Sequence, residues 1–345
     1  MTGRDTAVWD KTLDIRSSPH ILSGNSVDSI MFNVVLALLP VTAFAVYAFG
    51  LTALATLAVA VFACVLTEHL VCRAAGRPTS VGDWSAVITG LLYGLTLPPG
   101  LPLWMVAVGG IVAIALGKAL FGGLGYNAFN PALVGRAVLQ AAFPVAMTTW
   151  SAALLPGRFA ELPSSVLAWP FAAPVYDGLS GATPLAAWKF DRELTETADL
   201  LLGYTSGSTG ETCALLILLG GVWLVLRRMM NWRIPVAILV TVAAFSGILN
   251  LTDPSKYAGP LFMLLSGGLM IGAVFMATDM VGSPMTNVGC IVHGVVIGVL
   301  VVVIRVWGGM PEGVMYAILL ANALVPHIDG LFQPRVYGTV PREAP

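Results

Sequence analysis

The run Asp177-Gly178-Leu179-Ser180-Gly181-Ala182-Thr183-Pro184 places an acid, two hydroxyls and two glycines in a turn-forming segment. Its small neighbours leave the Thr183 hydroxyl sterically open, and Pro184 biases the preceding residue to extended backbone. Such a hydroxyl is accessible to a modifying enzyme; a plain surface turn is the competing reading. The stretch Gly207-Ser208-Thr209-Gly210-Glu211 opens an apolar run with small, amide-exposing residues. A helix N-terminus attracts anions such as phosphate. The same residues also read as a simple cap, with Ser208 or Thr209 capping and Glu211 in the first turn. Asn127 and Asn130 offer paired donors and acceptors suited to the carbonyl and N–H edge of a ring. Asn130-Pro131 reads equally well as a helix cap.

These groups must be positioned by membrane helices. Of 345 residues, 57% are hydrophobic and only 10% charged, with a mean hydropathy of +0.86. A soluble domain carries about 25% charged residues, so this chain cannot cover a water-facing surface. The length accommodates about ten spans of roughly 20 apolar residues each, plus connections. No basic run exceeds Arg227-Arg228, which argues against nucleic-acid binding. Cys64, Cys72, Cys213 and Cys290 form no CxxC pair, so a cluster or zinc site held by this chain alone is not expected. The four histidines show no paired spacing for haem and are read as structural. Residues 1–25 are polar and mixed in charge, unlike a signal peptide.

Apolar runs fall at 30–49, 51–72, 84–99, 103–121, 127–145, 213–226, 234–250, 260–277, 288–304 and 313–326. Arg4, Lys11, Arg16, Arg73, Arg77, Lys118, Arg227, Arg228, Arg233, Arg335 and Arg342 share one side when alternate connections do. The positive-inside rule makes that side cytoplasmic, with both termini there. The expected organisation is a cytoplasmic segment 1–29, a first helical repeat 30–145, an outer loop 146–212, a second repeat 213–326 and a cytoplasmic tail 327–345. Each repeat has five spans, an odd number, so the second runs in the opposite sense to the first. That is the arrangement of inverted-repeat transporters. The fold class expected is therefore all-α, a polytopic bundle of two inverted five-helix repeats.

A faint internal echo accompanies this division. Gly90 to Pro99, and Gly268 through Asp279 to Pro284, are both Gly-rich apolar segments ending in irregular backbone. Paired interruptions point to a central site, while two ordinary Pro-terminated helices remain the alternative. Asp279 lies in the second interruption. An acid near membrane depth is a functional candidate and here an ion-path candidate; a headgroup-level surface acid is the competing reading.

The D-x-x-S-G-A-T pattern resembles the flavinylation site of two related families. These are the D subunit of the Rnf electron-transport complex and the B subunit of the sodium-translocating NADH:quinone oxidoreductase. In both, the final threonine carries FMN through a phosphoester bond made by a dedicated flavin transferase. The resemblance assigns that role to Thr183, with Asp177 and Ser180 in the same motif. Gly207 to Thr212 is similar to the families' G-S-x-G-E-T-S stretch, with Cys213 where serine is usual. Phe275 to Asp279 with Ser283 to Asn287, and Asn127 to Ala132, resemble two further shared blocks. The short N-terminus with Ser18-Pro19-His20-Ile21 favours the Rnf D subunit.

The resemblance implies covalent FMN, and a second, non-covalent riboflavin near Asn127 and Asn130. Ser208 would sit close to the FMN phosphate. It implies a membrane subunit of a redox-driven ion translocase in the bacterial inner membrane, with iron–sulfur and flavin subunits as partners. The chain has no catalytic residue or metal site of its own in this reading, and the chemistry belongs to the flavin. A B-type quinone-reductase subunit, or a secondary transporter or channel of similar architecture, are the rivals. The D-x-x-S-G-A-T loop separates them, because a channel has no need of it.

Overall fold

A computed structural model describes residues 26–160, 162–170, 172, 181–211 and 213–334, and every regular element among them is helical. The first half contributes α1 (Val27–Phe49), α2 (Leu51–Ala74), α3 (Ser85–Leu95), α4 (Leu103–Ile114) and α5 (Pro131–Ala142). The second contributes α6 (Ala214–Leu226), α7 (Arg233–Thr252), α8 (Pro260–Leu265), α9 (Leu269–Ile271), α10 (Asn287–Trp307) and α11 (Val314–Leu331). Wider π turns extend α4 through Ala115–Ala119 and α9 through Gly272–Met276. Helices α1, α2, α7, α10 and α11 are each long and apolar enough to cross a membrane. At 1.5 Å per residue, α1 spans about 34 Å. Helices α3, α4 with its π extension, and α6 are shorter apolar helices.

The two halves repeat one packing scheme. Helix α2 packs on α3 and α4, and α4 on α5; correspondingly α7 packs on α8 and α10, and α10 on α11. Across the halves α1 meets α6 and α5 meets α11, first against first and fifth against fifth. Their relative sense follows from two contacts. The Phe32 ring near the start of α1 lies 5.3 Å from that of Trp84 at the start of α3. The segment leading into α6 instead bonds the end of α3, where Gly210 N donates to Leu95 O at 2.7 Å. Helices α1 and α6 therefore start at opposite ends of the bundle, and the second half is inverted relative to the first.

Small residues permit these crossings. A Cβ on Gly90 of α3 would lie 2.6 Å from Val61 Cα, and one on Gly294 of α10 would lie 2.9 Å from Ile234 O. Backbones this close substitute dispersion and carbonyl contacts for the hydrophobic driving force that lipid removes. Leucine, valine and isoleucine side chains left exposed along α1, α2, α6 and α7 form the outer surface.

One end of the bundle carries Arg73, Arg77, Arg227, Arg228 and Arg233. The other is covered by the long connection after α5. Arg158 of that connection seals the α1–α2 turn, since Leu51 N donates to Arg158 O at 2.9 Å and Arg158 Nε to Tyr47 O at 2.9 Å. Gly50 at that turn has φ +70°, and a Cβ there would lie 2.0 Å from Arg158 O, so only glycine fits. Val166 O accepts from Leu103 N at 3.0 Å, fixing the same connection over the α3–α4 turn.

Three boundary expectations are revised. Helix α1 begins at Val27 rather than residue 30. Helix α11 continues through Pro326 to Leu331, so no tail begins at 327. The expected outer loop 146–212 includes the end of a short helix, Pro144–Thr148, and two further short helical stretches, Pro184–Asp191 and Thr197–Leu202.

Candidate functional site

Two pockets open between the halves, one toward each end. The pocket at the loop-covered end is lined by Thr96 from the α3–α4 break, Arg136 and Gln140 of α5, Trp150, Thr183, and Glu312 before α11. Arg136 Nη2 reaches Glu312 Oε2 at 2.9 Å, an ion pair joining the first half to the second.

Thr183 enters this pocket on a short ordered segment. Its backbone is extended, φ −69° and ψ 153°, as Pro184 requires, and its Oγ1 accepts from Ala186 N at 3.2 Å. The segment is anchored on both flanks. Gly181 N donates to Trp150 O at 3.0 Å. Lys189 Nζ donates to the carbonyls of Arg305, Gly308 and Met310, neutralising the exposed C-terminal end of α10. One expectation fails here: the Thr183 hydroxyl is not open, because the residue is only 2% exposed. Small neighbours remove bulk along the chain, but Trp150 lines the same pocket and the segment is held to it by the Gly181–Trp150 bond. Asp177 and Ser180 lie outside the described residues.

The second pocket lies at the arginine-bearing end. Its walls include Ser85 and Thr89 of α3, Lys118, Asn127, Asn130, and Thr278 with Asp279 from the loop before α10. Asn127 Nδ2 donates to Asp279 Oδ2 at 3.3 Å, and Val281 N donates to Asp279 Oδ1 at 3.2 Å. Asp279 is thus neither a bare surface acid nor deep in the bundle; it is half-buried at a contact between halves.

A model of the NQR2, RnfD, RnfE family matches residues 14–338. The chain belongs to this family. It is 43% identical over 339 residues to the D subunit of the ion-translocating oxidoreductase complex of Stutzerimonas stutzeri, covering 93% of this chain and 95% of that one. It is 42% identical over 335 residues to the D subunit of the proton-translocating ferredoxin:NAD(+) oxidoreductase complex of Clostridium ljungdahlii, covering 94% and 96%. It is 40% identical over 330 residues to the D subunit of the Na(+)-translocating ferredoxin:NAD(+) oxidoreductase complex of Acetobacterium woodii, covering 94% and 95%.

Within this NQR2, RnfD, RnfE family member, both readings of residues 207–211 change, while the helix-cap reading of Asn130 is borne out. Ser208 and its neighbours do not cap α6, which begins at Ala214 after Cys213. The amides of Thr209 and Gly210 are taken by Leu97 O at 3.2 Å and Leu95 O at 2.7 Å, so they present no anion site. Ser208 itself is 1% exposed and sits beside Glu211. The amide of Asn130 is likewise spent: Oδ1 accepts from Ala132 N at 3.0 Å as a helix cap, and Nδ2 donates to Met276 O at 3.2 Å. Of the asparagine pair, Asn127 alone turns toward the opposite half's acid.

Several partners escape a reading of sequence. Lys118 reads there as a flanking charge at the membrane surface, yet it is 4% exposed and bonds Glu68 Oε1 and Oε2 at 2.7 and 2.8 Å. Arg136, Arg305 and Glu312 belong to no motif that would single them out. The signal for Arg136 is nonetheless present, since it lies inside the apolar run 127–145 and a charged residue there must find a partner.

Proposed function

We propose that this chain is the membrane subunit of an ion-translocating electron-transport complex and that Thr183 is its point of covalent FMN attachment. The observation that carries the reading is that Thr183 lines a pocket between the two halves. Its chemistry suits a flavin nucleotide. Arg136 brings a guanidinium whose buried Nε lacks a partner among the described residues. Trp150 and Tyr316 bring aromatic surfaces, and Gln140 an amide. Attached FMN supplies reversible uptake and release of electrons.

The burial of Thr183 adds a requirement. The flavin transferase must reach the hydroxyl before residues 181–191 dock against Trp150 and α10. The docked segment then excludes water and holds the attachment point against the inter-half ion pair.

The arginine-bearing end is read as cytoplasmic and the loop-covered end as periplasmic, in a bacterial inner membrane. The second pocket, with Asn127 at its wall, is the candidate site for non-covalent riboflavin, and Asp279 beside it the candidate for the ion path. Iron–sulfur and flavin subunits of the complex would supply donor and acceptor. One of the related D subunits is named for protons and another, nearly as similar, for sodium, so the ion is a matter of local residues rather than overall identity.

In-gel flavin fluorescence after denaturation tests the attachment. Thr183→Ala should abolish the fluorescent band while the protein still inserts. A band that persists in Thr183→Ala, or is lost in Ser180→Ala alone, would move the attachment elsewhere.

A further inference from the structure

The helix break between α8 and α9, at Ser266 to Gly268, brings together two carboxylates from distant segments. A Cβ on Gly268 would lie 3.3 Å from Glu211 Oε1, and one on Gly267 would lie 3.0 Å from Glu312 Oε1. Both acids therefore press on adjoining residues of one turn, in direct electrostatic contact with each other. Each of these two oxygens is buried with no hydrogen-bond partner among the described residues. The Ser208 hydroxyl, 1% exposed, lies beside Glu211.

The charges around the pair explain the missing hydrogen bonds. Arg305 stands beside both acids but donates Nη1 to Met263 O at 2.6 Å and Nη2 to Ser266 O at 2.9 Å, so these donors are taken by backbone carbonyls at the end of α8. Arg136 pairs with the other oxygen of Glu312, at 2.9 Å. Neither arginine donates to Glu211 Oε1 or Glu312 Oε1, and a single proton between the two acids supplies the missing donor. The same proton converts two facing, donorless oxygens into one O–H···O bond, removing both the repulsion and the orphaned acceptors.

We propose that Glu211 and Glu312 hold one exchangeable proton between them, at the contact between the two halves. The exchange is balanced: a hydronium ion gives its proton to the carboxylate pair and leaves as water, and the reverse returns it. Access runs through the pocket that Glu312 and Arg136 line. This assignment does not depend on flavin at Thr183.

Infrared spectroscopy of the full chain in lipid nanodiscs, in H2O and D2O at neutral pH, reads the shared proton directly. The wild type should show a buried carboxylic-acid C=O band that shifts in D2O. Glu211→Gln should remove it, because the amide donates to Glu312 in the proton's place and leaves Glu312 ionised. Asp279→Asn, at the other end, should leave it intact. Absence of the band in folded wild type, or its survival in Glu211→Gln, would overturn the proposal. So would loss of the wild-type band when sodium replaces choline together with stoichiometric binding of radioactive sodium, since the pair would then be a metal-ion site. Glutamine at position 211 preserves volume and hydrogen bonding, and a monodisperse elution profile establishes that the variant is folded before its spectrum is read.

Discussion

Asn127 and Asp279 stand 152 positions apart in sequence, yet the asparagine amide donates to the carboxylate at 3.3 Å across the boundary between halves. The bond ties the start of α5 to the interrupted stretch of backbone before α10, on the wall of a pocket. A carboxylate held this way by two neutral donors, with no paired cation among the described residues, has oxygens to offer a passing cation. Asp279→Asn keeps the shape and removes the charge. We expect covalent FMN and assembly to persist while ion uptake into vesicles, driven by electron flow, is lost. Unchanged uptake per electron transferred would remove Asp279 from the ion path.

The Glu68–Lys118 pair gives a stability prediction. Its lysine and glutamate side chains are 5% and 4% exposed, and Lys118 also donates to Ser85 Oγ at 2.6 Å. Lys118→Met leaves Glu68 buried and uncompensated, which costs on the order of 3–5 kcal/mol. Adding Glu68→Gln should recover much of that loss, since the stranded charge is gone. Thermal unfolding of both variants in detergent, compared with wild type, measures the difference. A single variant as stable as wild type would mean that the pair is hydrated and inconsequential.

Gly210 tests the seal between halves. A Cβ there would lie 2.7 Å from Leu95 Cβ and 2.9 Å from Leu95 O, both fixed in the last turn of α3. Gly210→Val should destabilise the protein by about 1–3 kcal/mol through overpacking. Gly259, with open space around it, is the control: Gly259→Ala should stay within about 0.5 kcal/mol of wild type. Equal stability of the two variants would show that the seal yields freely.

The sidedness of the bundle is measured with Ser164→Cys in a background lacking the four native cysteines. Ser164 lies on the loop-covered end. An impermeant thiol reagent should label it in cells whose outer membrane alone is permeabilised. Labelling only after the inner membrane is ruptured would reverse the assignment of both ends.

Much of the fold is legible in sequence because the membrane enforces it: apolar runs become helices within a few residues of their expected limits. Pro326 misleads at the end of α11, where a proline reads as a terminator. In a packed bundle the missing N–H, which leaves the carbonyl of Asn322 without its helical donor, is tolerated, and the helix runs about one turn further. The site is less legible, for a different reason. Ser208, Thr209, Gly210 and Glu211 satisfy every local rule for a helix cap. Ser208 and Glu211 bond each other, while Thr209 and Gly210 serve the end of α3, with Thr209 Oγ1 bonded to Gly94 O at 2.8 Å. Capping rules consider neighbours along the chain and assign donors to the nearest acceptor. Lys118 misleads similarly, because counting charges near span ends does not ask whether an acid on another helix awaits them. Thr183 is the reverse case: its backbone conformation follows from Pro184 alone, while its burial depends on residues distant in sequence that line the same pocket.

The bonds from Thr209 N to Leu97 O and from Gly210 N to Leu95 O also carry a consequence for biogenesis. When the ribosome has delivered only α1 to α5, these two carbonyls at the end of α3 face lipid or the translocon without their eventual donors. A bare carbonyl in hydrocarbon is expensive, so the nascent first half cannot settle until more than 60 further residues beyond α5 have emerged. The newborn chain must therefore be sheltered or left fluid during that interval. Synthesised as two separate polypeptides, the halves would stabilise each other against membrane proteolysis, and the first half alone would be the more quickly degraded.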